Sequence, residues 1–239
     1  MVSLVNPGTF HPKRVNQYVA SMQYASDVNY AAGTRISFGP VAVASTNNIV
    51  NASNVAAAVT LDLTPLPDII APYGRCVTVT GSATILAGSS ITLRGWDYLG
   101  QPMTEVFTSV AGATPIIGAK AFKSFNSVTF GANAGTAPVT FSIGQNTKLG
   151  LPYRALFARE ETINSTPVSP VGTLVPGPFV NQSNAVGVVD PRGTYQPTTV
   201  VNGLAVITAI FTFVNDLFGT PGGARPNDAG GLYGFPHAG

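Results

Sequence analysis

Residues 76–130 read CVTVTGSATILAGSSITLRGWDYLGQPMTEVFTSVAGATPIIGAKAFKSFNSVTF, from Cys76 to Phe130, and their pattern decides the fold. Short runs rich in Val, Ile, Thr and Phe alternate with clusters of Gly, Ser, Ala and Pro. β-Branched and aromatic residues suit a pleated, half-buried surface, and the clusters between them supply turn geometry. The clearest unit is Ile91 to Thr108, where two strand-like runs flank Tyr98-Leu99-Gly100-Gln101-Pro102. Gly100 tolerates the positive φ of a tight turn, and Pro102 lacks the amide that a central ladder needs. A β-hairpin with a loop of several residues is predicted here.

Working outward, Val59, Leu61 and Leu63 alternate with Thr60, Asp62 and Thr64, the signature of a half-buried strand. Further strands are predicted at Arg75 to Thr80, Ala121 to Phe130 and Val139 to Ile143, with Ser82 to Leu86 as a short pairing segment. Leu149 to Ala158 reads as a strand or an ordered loop. Near the end, Thr198 to Val201 and Leu204 to Val214 flank Asn202-Gly203, a dipeptide that favours hairpin turns because both residues tolerate positive φ. The fold class is therefore all-β, an antiparallel β-sandwich or jelly-roll-like domain with extended N- and C-terminal arms. Residues 1–45 read as an N-terminal arm or an irregular strand-bearing segment, 46–165 as the β-domain and 166–186 as a Pro-rich connector. Residues 187–218 read as a C-terminal hairpin region packed on the domain, and 219–239 as a Gly/Pro-rich tail.

Composition narrows the function. Charged residues make up 9% of the chain, against roughly 25% in a typical soluble domain. Such a surface gains little from charge repulsion and suits a protein packed against copies of itself or other partners. The net charge is +2 and the basic residues are scattered, so no stripe follows a nucleic-acid backbone. Cys76 is the single cysteine, which excludes an internal disulfide and reads as a buried, inert thiol. The apolar run Leu204 to Val214 is too short to span a bilayer, and Met1 to Pro12 lacks the apolar core of a secretion signal.

Candidate chemistry is sparse. His11 and His237 lie far apart in the terminal segments, so no metal or other cofactor is expected. Asp97 and Glu105 sit on the two arms of one hairpin, a spacing compatible with a glycosidase pair, but no nucleophile motif or phosphate-cradling loop accompanies them. No enzymatic activity is expected. Trp96 and Tyr98 in the hairpin, with Tyr18, Tyr24, Tyr30, Tyr233 and Phe235 in the arms, are the candidate partner-binding residues. Large amphipathic rings in segments without a core of their own serve as anchors on another surface.

Several motifs carry a resemblance. They are Tyr73-Gly74-Arg75 before a Val-Thr-Val run, Asp97 to Glu105 (DYLGQPMTE), Gly118 to Lys123 (GAKAFK) and Asp190 to Pro197 (DPRGTYQP) with Asn202-Gly203. Together they resemble a family of tailed-bacteriophage virion structural proteins, over Tyr73 to Phe130 and Asp190 to Phe213. The resemblance implies a capsid decoration or cement protein whose partners are the major capsid protein and copies of itself, a homo-oligomer within the virion. It implies residence on the capsid surface after synthesis in the bacterial host cytoplasm, with no nucleic-acid or membrane partner. A tail or neck component, or a carbohydrate-binding adhesin module acting through Trp96 and Tyr98, are the competing expectations.

Overall fold

A computed structural model describes residues 33–55, 58–63, 71–81, 90–108, 114–131, 139–152, 154–177, 189–198 and 201–213. Among them are fourteen strands and no helix. They are β1 (Gly33–Pro40), β2 (Val50–Val55), β3 (Val59–Asp62), β4 (Arg75–Gly81), β5 (Ser90–Trp96), β6 (Pro102–Thr108) and β7 (Ile116–Ile117). Then follow β8 (Ser124–Phe130), β9 (Val139–Gly150), β10 (Ala155–Ile163), β11 (Thr166–Val168), β12 (Thr173–Pro176), β13 (Gly193–Gln196) and β14 (Val206–Phe213). The expected all-β, sandwich-like antiparallel fold is what these residues form.

The strands make three sheets. Sheet A has the order β1-β14-β10-β11, sheet B the order β12-β13-β9-β4-β7 with β2 also on β9, and sheet C the order β3-β8-β5-β6. The predicted hairpin is β5–β6, closed from Ser90↔Thr108 to Trp96↔Pro102. Gly100 takes φ +77° at its turn, and Pro102 opens β6, an edge strand that tolerates its missing amide. Along β6 the buried residues are Met103, Glu105 and Phe107, the period of two that aims one face inward.

Two cores result. Val77 and Val79 of β4 and Phe141 and Ile143 of β9 meet Ile91, Leu93, Phe107 and Val128 between sheets B and C. The second core joins Ile36 and Phe38 of β1 and Ile207 and Phe211 of β14 to Leu149, Leu151 and Tyr195. Tyr195 is sandwiched there, with Phe38 stacked at 5.9 Å and the Phe211 edge at 5.0 Å. The 12-residue β9 enters both cores, one with each end. It is the element that makes two hydrophobic interiors one body.

Four expectations are corrected. Asn202-Gly203 does turn, with Gly203 at φ +79°, but it does not close a hairpin. β14 is paired on both edges, with β1 and with β10, which leaves no edge free for a hairpin partner. Residues 187–218 accordingly divide between sheets, β13 in B and β14 in A. The reading of residues 1–45 as an arm fails at Gly33, because β1 supplies Ile36 and Phe38 to the second core. The Pro-rich connector contains β11 and β12, whose prolines fall on edge strands. Residues 149–158 resolve into the end of β9 and the start of β10. The Ser82 to Leu86 segment lies outside the described residues.

Because β9 spans both cores, truncating either end should weaken the whole body. Ile143→Ala and Leu149→Ala each remove a fully buried side chain and should each cost about 2–5 kcal/mol. Calorimetry should show a single transition lowered by either change. Two transitions responding separately would mean two independent units.

Candidate partner-binding surface

Among the described residues of this charge-poor chain, most charged side chains are buried. Arg75, Asp97, Glu105, Lys120, Arg154, Glu161, Asp190 and Arg192 are buried, more than half of the charged side chains in the described part. Burying a charge is costly unless it is paired and hydrogen-bonded, so each needs a physical account.

Arg192 pairs with Asp97 through its Nη1, and its Nε lies 3.8 Å from the Asp190 carboxylate. Asp97 Oδ1 accepts the amides of Leu99 and Gln101, each at 2.8 Å, which shapes the β5–β6 turn. Asp190 accepts the amides of Arg192 and Ala121 at 2.9 and 3.0 Å. One guanidinium therefore joins the hairpin of sheet C, the turn before β13 and the loop before β8. Arg75 is as deeply placed, donating to the carbonyls of Asn146 and Ala42 at 2.7 and 2.8 Å, and burial lowers its pKa to about 10. Gly74, at φ +86°, passes so close to the Phe122 carbonyl that a Cβ would lie 2.7 Å from it.

Glu105 faces the interior, where its Oε1 accepts the Ala119 amide at 2.6 Å. Burial raises its pKa to about 7, and the Ala119 amide and the Lys120 charge oppose that rise. Lys120, whose Nζ donates to the Thr104 carbonyl at 2.8 Å, is shifted down by burial. Burial likewise pushes the Cys76 thiol well up, in keeping with the inert thiol expected. On the other side of the molecule Glu161 Oε2 accepts from the Tyr195 hydroxyl at 2.6 Å and from the Gly172 amide at 2.9 Å.

These groups bond to one another and to the backbone and so hold the fold together. Asp97 is taken up by Arg192, and Glu105 grips its own loop. Among the described residues no group of three or more His, Cys, Asp or Glu is placed to hold a metal. No helix there is long and apolar enough to cross a membrane.

Several large apolar side chains nonetheless face outward. Leu204 is 83% exposed, Phe157 64% and Val43 60%. Leu204, Val206 and Val43 belong to one end of sheet A, where Pro40 pairs with Val206 and the Gly203 amide reaches the Val41 carbonyl at 2.8 Å. That tip is rigidly built. Asn202 Oδ1 accepts the amides of Leu204 and Ala205 at 3.0 and 2.9 Å, and Asn164 exchanges two hydrogen bonds of 2.9 Å with Val206. Asn164 and Ser165 both take positive φ, the geometry of a two-residue hairpin turn. Exposed apolar side chains fixed by such turns fit a contact surface better than a fluctuating loop.

At the opposite end of sheet A, Gly33 pairs with Thr212. The start of β1 and the end of β14 therefore lie side by side at one corner. The outer face of the same sheet carries a groove of about 320 Å³, lined by Arg35, Glu160, Thr162, Ser165, Pro167, Thr208 and Ile210.

Of the expected partner-binding residues, Trp96 closes β5 opposite Pro102 and Ser124 and is half-buried. Tyr98 is committed within the domain. Its hydroxyl donates to the Pro152 carbonyl at 2.7 Å, its ring meets Tyr73 edge-on at 5.4 Å, and Arg192 lies over it at 4.9 Å. Tyr18, Tyr24, Tyr30, Tyr233 and Phe235 lie outside the described residues. Sequence reasoning missed the tip, Leu204 having been assigned to a hairpin strand. It also missed the buried charges, although Arg75, Asp97, Glu105, Lys120, Asp190 and Arg192 all stand in the motifs quoted above. Three of the four motifs meet through Asp97, Arg192, Asp190 and the Ala121 amide, whereas the Arg75 side chain bonds to Asn146 and Ala42. Comparison with protein-family models, with curated proteins and with solved structures returns no match.

Two outcomes are expected. Arg192→Met strands two buried carboxylates and should cost about 3–5 kcal/mol, with Asp97→Asn in the same chain recovering part of the loss in a double-mutant cycle. Glu105 ionises near 4.5 in the unfolded chain but near 7 in the fold, so its contribution to stability is fully present below pH 4.5 and lost as pH rises through 7. That loss amounts to about 3 kcal/mol. Denaturant unfolding across this range should show the slope in the natural chain and a flatter one in Glu105→Gln.

Proposed function

We propose that this chain is a non-enzymatic structural protein of a tailed-bacteriophage virion, a decoration or cement protein that binds the major capsid protein shell and stabilises it. One observation carries the reading: both chain ends leave one corner of sheet A, where Gly33 pairs with Thr212. A rigid body with two long segments rooted together is suited to straddling neighbouring subunits. Extended, residues 1–32 reach on the order of 100 Å. The rigid apolar tip supports the reading by offering a second contact at the far end of the same sheet.

The charge distribution supports it too. Ion pairs are used to lock the interior, and the surface left over is apolar and hydroxyl-rich. On sheet C one outer row runs Thr60, Thr129, Thr92 and Val106 across four strands. Such surfaces bind by shape and burial, at about 25 cal/mol per Å² of apolar area less the cost of ordering, and many copies multiply a modest contact. A tail or neck position draws on the same features. A carbohydrate-binding role at Trp96 and Tyr98 has less support, because Tyr98 spends its hydroxyl and ring within the domain.

The test is imaging of labelled particles together with co-sedimentation on undecorated shells. Hundreds of copies spread over the shell are expected; a ring or spike at one vertex would move the protein to the tail or neck. Removing residues 1–32, or changing Leu204→Asp at the tip, should weaken shell binding about tenfold or more. Full affinity in both variants would sink the proposal.

A further inference from the structure

The groove on sheet A contains two charges that the fold leaves unused. Arg35 and Glu160 have no hydrogen-bond or ion-pair partner among the described residues. They stand in one row across three strands, because Arg35 and Glu160 are both register partners of Ile210, on its two sides. Two strand spacings separate their backbones by about 9.6 Å. The floor between them is Ile210 and Thr208, and the Thr162 hydroxyl is buried with no partner. A cation on one wall, an anion on the other and hydroxyls beneath form a dipolar site. It fits a segment carrying the opposite charges about 9–10 Å apart.

The chain's own C-terminal segment carries that pattern. Arg225-Pro226-Asn227-Asp228 has one basic and one acidic residue three positions apart. Pro226 holds the residue before it in extended backbone. In a polyproline-type chain, residues three apart lie on the same side, separated by about 9.3 Å. The tether also fits. β14 ends at Phe213, and the groove lies three to five residues back along it, at Ile210 and Thr208, a distance of roughly 10–17 Å. A flexible linker as long as residues 214–224 has a root-mean-square span of about 20 Å. A linker whose span matches the distance gives its end a local concentration in the millimolar range.

We infer that the groove on the outer face of sheet A is the docking site for residues 225–228 of the same chain, with Arg225 on Glu160 and Asp228 on Arg35. Exposed ion pairs are individually weak, so the docked state rests on two pairs acting together at high local concentration. Exposed Phe157, opposite Thr212, lies on the path from the root of the segment to the groove. The docking is that of the free chain, before the segment engages a neighbour; it does not depend on the virion reading, and its failure would leave that reading untouched.

Disulfide trapping in the purified full-length chain tests it, since Cys76 is buried and gives little background. Ile210→Cys, between Arg35 and Glu160 in the groove, is combined in turn with Gly222→Cys, Asn227→Cys and Gly231→Cys, and oxidation is followed on non-reducing gels. Crosslinking within the monomer should be about fivefold faster at 227 than at 222 or 231. Adding Arg35→Glu to the 210/227 pair should slow it, and adding Asp228→Arg as well should restore it. Equal rates at the three positions, no rescue by the charge swap, or crosslinks found only between chains would overturn the assignment.

Discussion

The guanidinium of Arg192, buried between Asp97 and Asp190, is the contact on which the rest of the described structure depends. It lies where the hairpin of sheet C, the turn before β13 and the loop before β8 come together. Each acidic partner also collects backbone amides, so the carboxylates that neutralise the arginine simultaneously shape two turns. A buried ion pair of this kind adds little to stability compared with an apolar replacement. Its physical consequence is selectivity, because other packings of the same strands would leave one of the three charges unpaired in the interior. Arg75 does the same between β4, β9 and the Ala42 segment.

Spending charge on the interior has a consequence for the exterior. What remains on the surface is a hydroxyl-rich outer face on sheet C, an apolar tip on sheet A and a groove with one charge on each wall. Such a body has weak long-range electrostatic steering, so a partner would be met at contact range, through shape and desolvation. The tip and the root of the two terminal segments occupy opposite ends of one sheet. Contacts made at both ends bear on the same strands, and β9 joins that sheet's core to the other.

How much of this was legible in the sequence differs by element. Period-two alternation at Val59 to Leu63 and from Met103 to Phe107 marks strands because burial of one face is a local pattern. Gly100 and Pro102 mark the β5–β6 turn because their backbone preferences are intrinsic. Asn202-Gly203 misleads for the complementary reason. Its preference for a turn is real, but which strands flank it in a sheet is decided by long-range pairing, and β1 supplies the better-matched edge for β14. β1 itself was hidden because Gly33 to Pro40 ends at a glycine bulge and a proline, which read as irregular chain.

From its residues alone, this chain is determined to be a charge-poor, antiparallel β protein with little catalytic vocabulary, because composition and side-chain alternation act locally and need no partner to be read. Tertiary structure decided where its few charges went, which strands border one another and which apolar residues stay in solvent. Those outcomes depend on contacts between residues far apart in sequence, such as Asp97 with Arg192 and Gly33 with Thr212. No local preference encodes such pairs; the balance of desolvation, pairing and packing over the whole molecule selects them.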